Sequence, residues 1–135
     1  MLETKMQERR KQPRKDLMSY SQVYDVREGS LIGYLGDMNL LGAMVISDKS
    51  MEVNSELAIS VQLPELPTIK EETMVMPTRV AWCKQDISPE YYNVGLEFKI
   101  VTDKQKVIIE AIMENYEFRR QAPNYPPRRS EELDQ

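Results

Sequence analysis

Histidine is absent from all 135 residues of the chain. That absence removes Ser-His-Asp and Cys-His nucleophilic arrangements, imidazole general-base catalysis and His-ligated metal sites together. Cysteine occurs once, at Cys83. A single thiol excludes an internal disulfide framework, argues against a structural zinc site and fits a reducing compartment. No apolar run approaches the ~18–20 residues that span a bilayer. The first ten residues carry charge but no apolar segment of a secretory signal. The expectation is a cytoplasmic protein with no membrane insertion. The adjacent acids Glu71-Glu72 and Glu131-Glu132 fall in an apparent loop and tail, where solvated charge accounts for them. No catalytic residue, cofactor or metal-ligand set is expected, and the chain is not read as an enzyme.

What is present is the composition of one globular domain: 41% hydrophobic and 30% charged residues, in a chain long enough to bury a core. Charge is unevenly placed. Residues 1–16 hold six basic and three acidic side chains, a net +3, whereas the whole chain is −4 and the remainder therefore −7. An acidic body repels nucleic acid polymer, so no such partner is expected. The basic lead instead meets one compact anion or its own acidic domain, or it is a solvated tail; charge alone favours the tail.

Glycine is scarce, five residues in all, yet three of them lie between Gly33 and Ile46. There an apolar run is broken by Gly36, Asp37, Asn39 and Gly42 and resumes at Ala43, the pattern of two strands joined by a tight turn whose polar groups face away from the core. Around it the chain punctuates itself. Pro13 breaks any helix in the polar lead. Ser19–Arg27 suits a strand, Glu28-Gly29-Ser30 a hairpin turn, and residues 31–38 the return strand, with Gly33 and Gly36 marking bulges or bends. Residues 56–63 alternate cleanly, with Leu57, Ile59, Val61 and Leu63 on one face. Residues 73–84 form a further strand, where Pro77 argues for an edge or a bulge and Val80, Trp82 and Met76 would share a face. Tyr92, Val94, Leu96, Phe98 and Ile100 alternate in the last strand. Thr102-Asp-Lys-Gln105 is a capping box. The helix after it carries Val107, Ile108, Ala111, Ile112 and Tyr116 on its apolar stripe, with Arg119 and Arg120 suited to its C-terminal dipole. About six antiparallel strands followed by one helix is the order of a small closed barrel.

Two separated elements then stand out: Arg10-Lys-Gln-Pro-Arg14, extended by Arg9, and Asp37-Met-Asn-Leu-Leu-Gly42. Together they resemble the PilZ domain, the bacterial receptor module for cyclic di-GMP, whose pattern is RxxxR in a flexible lead followed by (D/N)xSxxG at a strand end. The lead matches in full; the second motif matches at Asp37 and Gly42 and has Asn39 where serine is usual. Thr78-Arg-Val-Ala-Trp-Cys83, Tyr92-Asn-Val-Gly-Leu-Glu-Phe98 and a closing helix resemble the end of the same domain. The resemblance implies a mainly β fold, a six-stranded antiparallel split barrel with a C-terminal helix. Its expected layout is a flexible lead at 1–8 and the domain at 9–118. Within the domain lie a motif lead at 9–16, a barrel at about 19–101 and a helix at about 103–119; a disordered tail follows at 120–135.

The resemblance implies cyclic di-GMP as ligand, bound by Arg9, Arg10, Arg14, Asp37, Asn39 and Gly42, with an unidentified protein partner receiving the signal. Residue chemistry agrees. Arginine presents a planar fork to phosphate oxygens and to guanine O6 and N7, and stacks on bases. Asp37 can accept guanine N1–H and N2–H, and the Asn39 side chain can bond at the same edge. Plainer readings stand beside these. Arg9, Arg10 and Arg14 can be a solvated tail, Asp37 and Asn39 can close Asx turns, and Gly42 can serve backbone geometry alone. Trp82 is read as core in preference to a stacking platform, and the nine methionines as adaptable core filling, although Met38 could touch a ligand. A degenerate adaptor of the same fold, which binds no nucleotide and acts through protein contacts, is the alternative function.

Overall fold

The computed structural model describes the backbone of residues 16–17 and all of residues 21–117. The arginine-bearing lead, with Arg9, Arg10 and Arg14, and the tail at 120–135 lie outside the described residues, as do Arg119 and Arg120. Strands β1 (Asp16–Leu17), β2 (Gln22–Asp25), β3 (Ser30–Met38), β4 (Gly42–Ser47), β5 (Glu56–Gln62), β6 (Thr73–Gln85) and β7 (Tyr92–Phe98) are followed by helix α1 (Asp103–Asn115) and β8 (Tyr116–Glu117). Six of these strands close an antiparallel barrel in the order β2-β3-β4-β7-β6-β5. The six-stranded barrel with one C-terminal helix is the architecture expected from the sequence.

Local chemistry explains most element ends. Asp25 accepts from Arg27 N–H (2.9 Å) and Glu28 N–H (3.3 Å), and Gly29 at φ +68° takes the left-handed position of the β2–β3 turn. Thr102 and Gln105 form the capping box reciprocally, at 3.1 and 3.0 Å. Gln105 Nε2 also donates to Val75 O (2.8 Å), and Lys104 pairs with Glu71, tying the start of the helix to β6 and the loop before it. The bond from Lys104 holds the Glu71 carboxyl below its ordinary pKa. Pro77 lies where β6 pairs with β5 alone; register with β7 begins at Thr78. Its carbonyl still accepts from Lys99 N–H (2.9 Å) just past β7, so Pro77 sits at the end of that ladder, where a missing N–H breaks no β6–β7 pair.

Three element boundaries are corrected. The first strand is shorter than Ser19–Arg27: it ends at Asp25, because Val26 and Arg27 already belong to the turn. The last strand ends at Phe98, and Ile100, 65% exposed, lies beyond the ladder. The helix stops at Asn115 rather than near 119. Tyr116 turns extended (φ −132°, ψ 148°), and residues 116–117 pair in parallel with 16–17, a two-stranded ribbon that periodicity did not signal.

The helical stripe is also rotated. Ile108, Ile109 and Ile112 are its buried residues, whereas Val107 is 62% exposed. Three consecutive β-branched residues, Val107-Ile-Ile109, leave the phase of the stripe open by one position, and packing chose Ile109. It joins the same continuous cluster as the barrel interior, including Val45, Met76, Val80 and Val94. Accordingly, Ile109→Ala is expected to cost about 3 kcal/mol and Val107→Ala less than about 0.5 kcal/mol. Paired denaturant melts check both.

Candidate functional site

The Asp37–Gly42 turn connects β3 to β4, and its conformation is written into its side chains. Asn39 Oδ1 accepts from Leu41 N–H (2.8 Å) and Gly42 N–H (3.1 Å), while Asn39 N–H donates to Gly42 O (2.9 Å). An Asx residue thus supplies the acceptor that closes the loop. Asp37 follows a bulge at Gly36 and pairs with Met44. The carboxylate is half-buried, with Oδ1 accepting from Met38 N–H at 2.9 Å. Gly42 sits where β4 meets β7: a Cβ there would fall 2.2 Å from Leu96 O.

Sheet register then carries the turn's neighbours across the barrel surface. Asp37 on β3 is opposite Met44 on β4, Met44 opposite Gly95 on β7, and Gly95 opposite Trp82 on β6. The four lie in one row around the outside. One step along, Gly42, Glu97 and Arg79 form a second row. Gly95 is essential to the first: a Cβ at this position would lie 2.2 Å from two indole atoms, so Trp82 rests directly on the bare backbone.

Trp82 reaches this place through a bulge. β6 faces the core with Met74, Met76, Thr78 and Val80, and strict alternation would put Trp82 beside them. The β6–β7 register slips between Val80 and Trp82, inserting Ala81, and every later residue changes face. Trp82 therefore points outward, 39% exposed, while Cys83 turns toward the core. The expectation that Val80 and Trp82 share a buried face is corrected for this reason.

These rows enclose an open cleft of about 330 Å³, lined by Asp37, Asn39, Gly42 and Met44 on one side and by Arg79, Trp82, Gly95 and Glu97 on the other. Its volume is at the low end for small-molecule sites. The Arg79 guanidinium is fixed in place. Nε and Nη2 meet Glu97 Oε1 at 2.9 and 2.8 Å, and Nη1 donates to Asn54 Oδ1 at 2.7 Å. Beyond it on β5, Glu56 is opposite Arg79 and bonds to Lys99 (2.8 Å). That hydrogen bond, then the charges of Lys99 and Arg79, lower the Glu56 pKa. The titratable lining is two carboxylates and one arginine, a net −1. A second depression, about 760 Å³ over residues 62–72, contains Glu65, Glu71 and Glu72 against Lys70. It shares no residue with the motif, and its charge is unsuited to an anion.

Of the residues singled out in the sequence, Asp37, Asn39 and Gly42 line this cleft together, with Met38 beside them. Arg9, Arg10 and Arg14 fall outside the described residues. Arg79, Glu97 and the exposed Leu41 also line the cleft, although their sequence context gives little sign of it, and Trp82 lines it too in place of the core position expected. The usable signal was the odd spacing of Arg79 and Trp82 around small Ala81, since only a bulge lets both face outward. Among the described residues, no group of three or more metal-ligating side chains occurs, and no helix is long and apolar enough to cross a membrane.

Comparison with known proteins agrees with this architecture. The chain is similar to the PilZ domain with c-di-GMP of YcgR from Escherichia coli, with a TM-score of 0.53 and 13% sequence identity. The match covers 77% of this chain and 92% of that one. At that identity the likeness establishes the fold alone. No curated protein sequence matches significantly. The family model of the PilZ domain matches residues 8–115, an interval that takes in the arginine lead, the Asp37–Gly42 turn, the whole barrel and α1, and the chain accordingly belongs to the PilZ domain family.

Proposed function

We propose that the protein is a non-enzymatic, cytoplasmic receptor for cyclic di-GMP. The observation that carries the reading is the convergence of Asp37, Asn39 and Gly42 with Trp82 and Arg79 on one outer cleft of a PilZ-family barrel. The ligand has two phosphates and two guanines. Arg10 and Arg14, with Arg9 beside them, neutralise phosphate and hold base edges. Asp37 accepts from a guanine edge, and the Trp82 face offers a stacking surface. Asn39 and Gly42 hold the turn that presents these groups. The net −1 of the cleft alone gives a dianion no reason to stay, so the basic lead supplies the attraction by closing over the nucleotide. Closure changes the surface offered to a protein partner, and by family resemblance the output is motility, surface attachment and biofilm, or exopolysaccharide.

The same net charge favours a second reading, a nucleotide-independent adaptor that works through protein contacts. Titration calorimetry at low salt separates the two. Micromolar cyclic di-GMP is expected to give a saturable isotherm; no heat at that concentration sinks the receptor. Asn39→Ser is expected to retain binding within about tenfold, because a serine Oγ can close the same turn. A hydrogen bond from Asn39 to a charged ligand group would instead be worth ~1.5–3 kcal/mol, one to two decades of affinity.

A further inference from the structure

A cleft that receives a dianion has no electrostatic use for a second carboxylate, yet Glu97 lies in its lining beside Arg79. We infer that Glu97 is a guanine-selecting residue, its free carboxylate oxygen accepting from the Watson–Crick edge of a base stacked on Trp82. This rests on the cleft being the cyclic di-GMP site proposed above.

Three observations support the assignment. The first is availability. Both Arg79 contacts go to Oε1, which leaves Oε2 without a partner among the described residues. The second is orientation. Arg79 is itself anchored by Asn54 Oδ1 at 2.7 Å, so Glu97 is held by a fixed fork rather than swinging in solvent. The third is placement. Gly95 and Glu97 are successive outward positions of β7, about 7 Å apart along the strand, and the indole lies on Gly95. A purine resting on the outer face of Trp82 therefore has an edge within reach of Glu97.

The chemistry of that edge explains a carboxylate. Guanine offers N1–H and N2–H as adjacent donors, which two acceptor lone pairs match. Adenine presents a single donor, N6–H, beside an acceptor at N1 that repels a facing carboxylate, so it matches Glu97 less well. Glu97 thus favours guanine over adenine. Its negative charge near the phosphates opposes binding in general, which gives the test its sign.

The test is calorimetric titration of the full chain, wild type and Glu97→Gln, with cyclic di-GMP and with cyclic di-AMP. Losing a charged acceptor predicts cyclic di-GMP binding about ten- to a hundredfold weaker in the variant, with cyclic di-AMP binding unchanged or stronger. Removal of a negative charge alone would tighten both, so selective loss runs against the electrostatic trend. Equal or tighter cyclic di-GMP binding by Glu97→Gln overturns the inference, as does an equal loss for both nucleotides, which marks Glu97 as a support for Arg79 only. Should the melting temperature of Glu97→Gln fall, Glu97→Asp keeps the charge but withdraws it by one methylene, and the same selective loss is expected. Absence of cyclic di-GMP binding in the wild type fails the receptor reading itself, and is seen before any variant is made.

Discussion

A chain carrying Arg10→Ala and Arg14→Ala is expected to bind cyclic di-GMP at least a hundredfold more weakly than the wild type, with an unchanged melting temperature. Each arginine is assigned charge-assisted hydrogen bonds to phosphate or base edge. Bonds of that kind contribute roughly 1.5–3 kcal/mol apiece, so two lost side chains remove about two to four decades of affinity. The cleft cannot compensate, because its lining is a net −1. Salt sharpens the result: wild-type affinity falls as ionic strength rises, and the double variant loses most of that dependence. Retention of wild-type affinity would make the lead a solvated basic tail. Unchanged output in the cell would favour the adaptor.

Gly42→Ala is expected to act on the fold instead. The added Cβ would lie 2.2 Å from Leu96 O and 3.2 Å from the carbon of that carbonyl. Both atoms are backbone of β7, paired with β4 in the closed barrel, so neither can move aside as a side-chain tip would. Gly42 does not have positive φ; the cost is close approach, not backbone conformation. Overpacking of this kind costs about 2–3 kcal/mol, which lowers the melting temperature of a domain this size by about 10 °C or more. Thermal unfolding without nucleotide checks it. A wild-type melting temperature together with lost binding would make Gly42 a ligand-contact residue. The two variants thus separate the motif into parts, Arg10 and Arg14 acting on the nucleotide and Gly42 on the barrel seam.

Asn39 departs from the family pattern, and its environment tempers the departure. The side-chain oxygen that would serve a ligand already accepts two backbone N–H groups at 2.8 and 3.1 Å. Its place in the motif is explained by holding the turn, a task serine shares. Trp82, Arg79 and Glu97 line the same cleft as Asn39, and the Arg79 guanidinium is held there by Glu97 and Asn54.

Much of the fold was legible because period-2 alternation in residues 56–62 and 92–98 leaves one register that buries Ile59, Val61, Val94 and Leu96. The helix start was legible because a capping box is a local contract between Thr102 and Gln105. The helical face was not, since Val107, Ile108 and Ile109 are interchangeable by hydrophobicity and only packing against the barrel distinguishes them. The β1–β8 ribbon was equally hidden: two-residue parallel pairing of positions 100 residues apart has no local signature.

The Asp37–Gly42 turn shows the same division within the site. Sequence alone determined that a polar, glycine-bearing turn interrupts two strands, that a cluster of arginines precedes the barrel, and that nothing in a histidine-free chain supports the usual nucleophilic chemistry. These are properties of residue type and spacing. Tertiary structure decided what stands opposite the turn. One inserted residue at Ala81 reverses the faces of the rest of β6, and cross-strand register then sets Trp82 on Gly95 and Arg79 against Glu97. The physical reason is that a bulge is a property of paired strands. No single strand's pattern records it, yet it determines which side chains the cleft receives.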